Sequence, residues 1–102
     1  MADHEEEHPA SPRVAEAIEQ ALRERLEPFG FERADIRPER DHDGDPILLV
    51  EGHYRLSDRP IDSRETYLAA QEARRAAREL GERRFLHIRH LFHEDQEVAS
   101  AL

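Results

Sequence analysis

A short acidic turn, Asp41-His42-Asp43-Gly44-Asp45-Pro46, leads straight into the most apolar segment of the chain, Ile47-Leu48-Leu49-Val50. Together they read as the turn and second arm of a β-hairpin. Gly44 supplies a positive φ, and the aspartates favour a turn through side-chain to backbone bonds. The first arm is Phe31–Arg40. There Phe31, Arg33, Asp35, Arg37 and Glu39 point one way, and Ala34, Ile36 and Pro38 the other. Period two marks a half-buried strand. Pro38 cannot donate to a ladder, so this arm belongs at a sheet edge or stops early. The second arm, residues 47–56, sets Leu48, Val50, Gly52, Tyr54 and Leu56 against Ile47, Leu49, Glu51, His53 and Arg55. The acidic turn invites comparison with a calcium loop, but such a loop starting at Asp41 wants glycine sixth and glutamate twelfth. Pro46 and Gly52 stand there instead.

A helix is expected on each side of the hairpin. Ser11-Pro12 reads as an N-cap followed by proline at the first helical position. Val14, Ile18, Ala21, Leu22, Leu26 and Phe29 then recur at steps of three and four until Pro28 and Gly30 end the helix, predicted over 12–28. Asp62 with Glu65 forms a capping box for a second helix running to Leu80 and closed by Gly81. Its expected buried stripe is Thr66, Ala69, Ala70, Ala73, Ala76, Ala77 and Leu80, with Arg74, Arg75 and Arg78 on the wetter side. Residues 84–92 form a third strand. Leu86, Ile88, His90 and Phe92 alternate with Phe85, His87, Arg89 and Leu91, and apolar residues on both faces suit a central strand.

The predicted fold is α+β: a single small domain in the order α-β-β-α-β. Its three-stranded mixed sheet carries two helices on one face, and the crossover through the second helix is right-handed. At 102 residues the chain has room for one domain. That domain spans 12–93, between a disordered acidic tail at 1–11 and a flexible acidic tail at 94–102. Four acids fall within residues 1–12 and three within 93–102, so seven of the nine net negative charges belong to the two ends. His4 and His8 flank three glutamates and read as part of a solvated tail. All fifteen basic residues are arginine, scattered rather than patched. No apolar run approaches a membrane span, and no signal-like segment opens the chain. Cysteine is absent, which rules out disulfides and thiol chemistry. A cytoplasmic protein is expected.

No phosphate-cradling glycine loop and no nucleophile elbow occur, so neither catalytic residues nor a cofactor is expected. The best cluster is assembled by the fold, on the sheet face away from the helices. It comprises Arg33, Arg37, Leu49, Glu51, His53, Arg55, Phe85, His87 and Arg89. Large apolar groups on an uncovered face usually mark an interface. The leading expectation is a small binding or accessory module, without catalysis, that self-associates or holds a protein partner through this face. The order of elements resembles the KH-like domains of small ribosome-assembly factors. That resemblance implies RNA binding as the alternative, aided by Arg33, Arg37, Arg55 and Arg89. It rests on topology alone, since the G-x-x-G turn of such domains is missing and no functional residue carries over. A further alternative is a metal-dependent enzyme using His53, His87 and Glu51. His90 faces opposite to His87 and His93 and is expected in the core with one hydrogen bond.

Overall fold

In the computed structural model residues 8–93 are described. Helix α1 spans Pro12–Leu26 and a 3₁₀ turn Glu27–Phe29. Strands β1 and β2 span Phe31–Arg40 and Pro46–Tyr54. Helix α2 spans Ser63–Glu79, and β3 spans Phe85–Phe92. The sheet order is β1-β2-β3, with β1 antiparallel and β3 parallel to β2. Both helices contribute to one core with Leu48, Val50, Tyr54 and Leu86, so they share a face of the sheet. The α+β fold with its mixed three-stranded sheet is the one read from the sequence. The expected terminal tails lie outside the described residues, apart from 8–11. There the His8 carbonyl accepts from Arg84 Nη1, and Ala10 packs against the core.

The local chemistry explains most boundaries. Ser11 Oγ accepts from the Val14 N–H at 3.2 Å, and Pro12 stands in the first turn. The stripe Val14, Ile18, Ala21, Leu22 and Leu26 is buried. At the hairpin, one Asp41 carboxylate oxygen accepts the N–H groups of Asp43 and Asp45, both at 2.9 Å. This is the turn-forming use of aspartate, and Gly44 sits at φ 86. Helix α2 ends in a Schellman pair: Gly81 N–H bonds the Arg78 carbonyl and Glu82 N–H the Ala77 carbonyl. Beyond it, Glu82 and Arg84 form a two-pronged ion pair at 2.8 and 3.0 Å.

Five details differ from the sequence reading. Strand β3, whose two partly apolar faces suited a central strand, lies at an edge, and β2 holds the centre. Asp62 caps α2 through Arg64 N–H, but Glu65 does not close a capping box. It turns with Glu72 to Arg25 of α1, at 3.2 and 3.0 Å. The buried stripe of α2 narrows to Ala69, Ala73 and Ala77, while Leu80 is exposed. Arg74 is not on the wet side. It donates twice to the Leu86 carbonyl and lies 4.5 Å from the Phe85 ring centre. Phe31 does not share the face of Arg33. A register shift between Phe31 and Arg33 turns it into the core, where it is buried.

That bulge completes an aromatic cluster. The Phe31 and Tyr54 rings meet edge to face at 5.7 Å, and Phe92 stacks on Tyr54 at 4.7 Å. Gly52 leaves room for this, since a Cβ there would stand 3.4 Å from both the Phe31 and Tyr54 rings. The hydroxyl of Tyr54, fully buried, and His90 Nδ1 are hydrogen-bonded at 2.7 Å; His90 has its expected bond but is half-buried, beside the core rather than within it. Burial pushes the Tyr54 phenol above its ordinary range and holds the His90 imidazole below 6.5. Both are therefore neutral at pH 7, as this bond requires. The unfolded chain takes a proton at His90 near pH 6.5 while the folded chain resists it. Stability is thus expected to fall as pH drops through about 6.5, levelling off below the folded value. His90→Gln should flatten that limb. Urea midpoints of parent and variant from about pH 5 to 8 check it, and identical slopes would exonerate His90.

Candidate functional site

The face away from the helices carries alternate residues of all three strands. Registers Asp35↔Glu51↔Arg89 and Arg37↔Leu49↔His87 set its rows. Glu51, on the central strand, is reached from both sides: by Arg37 at 2.8 Å and by Arg89 at 3.7 Å. Its side chain is only 13% exposed. Arg37 also holds Glu39 at 3.2 Å, and Arg33 lies 3.8 Å from Asp35. Each exposed pair contributes little alone, but the shared acid ties both outer strands to the middle one.

Beside this network runs a chain of three groups. The Asp35 carboxylate contacts His53 Nε2 at 2.8 Å, and His53 Nδ1 meets His93 Nε2 at 2.9 Å. The carboxylate can only accept, so Nε2 of His53 donates to it, and Nδ1 is taken up by the contact with His93. The two imidazoles are nearly parallel, 3° apart, with centres at 5.1 Å. With a 2.9 Å nitrogen contact as well, they lie edge to edge in a common plane rather than face to face. His53 is 8% exposed, and both its nitrogens are occupied. It has no atom left with which to act as a general base on a ligand.

The structure brings Arg33, Arg37, Glu51, His53, His87 and Arg89 onto one face, as the sequence pattern implied, but the apolar members behave differently. Leu49 is 7% exposed and Ile47 is also buried. Each stands on the central strand between longer neighbours: Leu49 between Arg37 and His87, Ile47 between Glu39 and Phe85. Long polar side chains cover such apolar groups with their stems. Only Phe85, at 57%, remains widely exposed there. Arg55 lies one residue past β2 and borders a cleft at the end of the sheet. The sequence placed Asp35 and His93 on this face but did not join them to His53, since their meeting there depends on register across three strands.

Glu51 and His53 are thus engaged elsewhere than with His87, and no cluster among the described residues has three or more groups able to hold a metal. His4-Glu5-Glu6-Glu7-His8 spells H-E-x-x-H, but in a charged stretch without the apolar positions of a metal-binding helix. All but His8 lies outside the described residues.

The two sheet edges are unequal. On β1, Glu19 of α1 accepts the outward Ala34 N–H at 2.9 Å. Pro38 has the same parity and presents no N–H at all. On β3, Arg74 covers the Leu86 carbonyl, which marks the even-numbered residues as facing outward. His93 N–H bonds the Tyr54 carbonyl, so the odd-numbered ones face β2. From Ile88 to Phe92 the outward backbone groups have no further backbone partner among the described residues. Phe92 at this edge is 44% exposed. No helix among the described residues is long and apolar enough to cross a membrane. Comparison with protein-family models, curated proteins and solved structures finds no match for this chain.

Proposed function

We propose that the chain is a small binding module, without chemistry of its own, that self-associates through its sheet along the free edge of β3. The observation that carries this reading is the difference between the edges. An unpaired strand edge is a template for another strand, and proteins that do not use one block it. The β1 edge is blocked by Pro38 and by the Glu19 carboxylate. Among the described residues the β3 edge is covered only at Leu86, and the two exposed phenylalanines, Phe85 and Phe92, both belong to that strand. A second copy fits because two β3 strands can pair antiparallel about a two-fold axis. Centred on His90, the pairing sets Ile88 opposite Phe92 of the other copy and Arg89 opposite Leu91. RNA binding through the face finds less support, since Arg33, Arg37 and Arg89 each have a carboxylate within 4 Å.

Sedimentation equilibrium of the parent is expected to give about twice the chain mass of 11.9 kDa. Leu91→Arg sets like charges across the axis and should yield a monomer with an unchanged circular dichroism spectrum. Arg33→Glu on β1 should leave the dimer intact. A monomeric parent, or a dimer lost in Arg33→Glu but kept in Leu91→Arg, would sink the reading.

A further inference from the structure

We propose that the cleft at the carboxyl ends of β2 and β3 binds a small organic acid. Arg55 and Arg59 hold its carboxylate, and Phe29, Leu56, Ile61 and Phe92 hold its apolar body. Parallel strands leave such a crevice where the chain exits their carboxyl ends, and open sheets with parallel strands place ligands there. Here the walls are tied on both sides. Arg55 N–H bonds the Gly30 carbonyl at 2.9 Å, and Ser57 Oγ reaches the Pro28 carbonyl at 3.4 Å. These bonds fasten the 55–61 loop to the 3₁₀ turn.

The electrostatics single out this cleft. The chain has 24 acids against 15 arginines, yet among the described residues no acidic one lines it. Each cleft beside α2 holds carboxylates among its arginines: one Glu24, Glu72 and Glu79 with Arg75, the other Glu72 with Arg75 and Arg78. Neither Arg55 nor Arg59 is paired with a carboxylate among the described residues, unlike the arginines of the sheet face. Two guanidinium groups on one small crevice repel each other, and a carboxylate relieves that by accepting paired N–H bonds. The remaining wall is mostly apolar, with Ser57 and His93 as its polar members, and it is wet, since Leu56 is 59% exposed. The cavity measures about 120 Å³. A cavity of roughly 150 Å³ takes up benzene, so the fitting ligand is a single-ring or short branched acid.

Nuclear magnetic resonance titration of the full chain with benzoate, benzamide and inorganic phosphate tests this. Benzoate should shift the amides of residues 55–61 and of Phe92 saturably. Benzamide, without charge, and phosphate, without an apolar body, should each bind at least about tenfold more weakly. The double variant Arg55→Gln, Arg59→Gln should lose benzoate binding by a similar factor while keeping its fold, because both side chains are exposed. No saturable shift with benzoate, equal binding of benzamide or phosphate, or undiminished binding by the double variant would each overturn the proposal. Phe92 belongs to both the cleft and the β3 edge, but Arg55 and Arg59 lie outside β3, so the double variant removes benzoate binding without altering the dimer mass.

Discussion

Gly30→Ala is expected to destabilise the domain by about 3 kcal/mol or more. Gly30 holds φ at 99°, where an L side chain is strained by about 1–2 kcal/mol. A Cβ there would also collide with the Arg55 carbonyl oxygen, a backbone atom that cannot swing aside. Relieving that contact means parting the 3₁₀ turn from the end of β2 and breaking the Arg55 N–H to Gly30 bond. For a domain this size, 3 kcal/mol corresponds to a fall in Tm of more than about 12 °C. Gly44→Ala is the control. Its φ is 86°, but nothing lies within 4 Å of its Cβ position, so it should lose only the conformational part. Thermal unfolding of the two variants compares them. Equal losses would show that the close approach at Arg55 contributes nothing.

Val50→Asp is expected to unfold the domain outright. Val50 is fully buried on the helix face, between Ile36 and Ile88 in the sheet. A carboxylate there has no partner, and its desolvation rivals the whole stability of a domain this size, about 5–15 kcal/mol. Leu49→Asp should be milder but no longer harmless. The alternating pattern placed Leu49 on an open face where a charge is tolerated, yet it is 7% exposed. Its loss should cost about 2–3 kcal/mol of apolar burial, partly offset by its cross-strand neighbour Arg37. Circular dichroism and urea unfolding should find Val50→Asp disordered and Leu49→Asp folded with a lowered midpoint. A Leu49→Asp variant as stable as the parent would show that the face is wet at this position.

Much of this architecture follows from periodicity and turn chemistry, which act within a few residues. The α1 stripe, the Asp41–Gly44 turn, the edge position of β1 at Pro38 and the turn of His90 toward the helix face are all of this kind. Each depends on side-chain alternation or helical spacing, and the chain carries that information locally. The open face itself was legible for the same reason.

What the sequence could not decide is what happens where separate strands meet. One bulge reverses the face of Phe31, because a single extra residue shifts parity without changing composition. Leu49 is dry because the central strand is flanked by longer side chains on both neighbours, a consequence of strand order rather than of its own alternation. Asp35, His53 and His93 join because two strand registers coincide; they stand 18 and 40 residues apart in the chain. Arg74 closes the start of the β3 edge only because α2 lies beside that strand. Composition, charge and pattern therefore determined which elements form and which faces they bury. Tertiary contact decided which polar groups pair and which edge is left open, because those energies exist only between segments that the fold has already brought together.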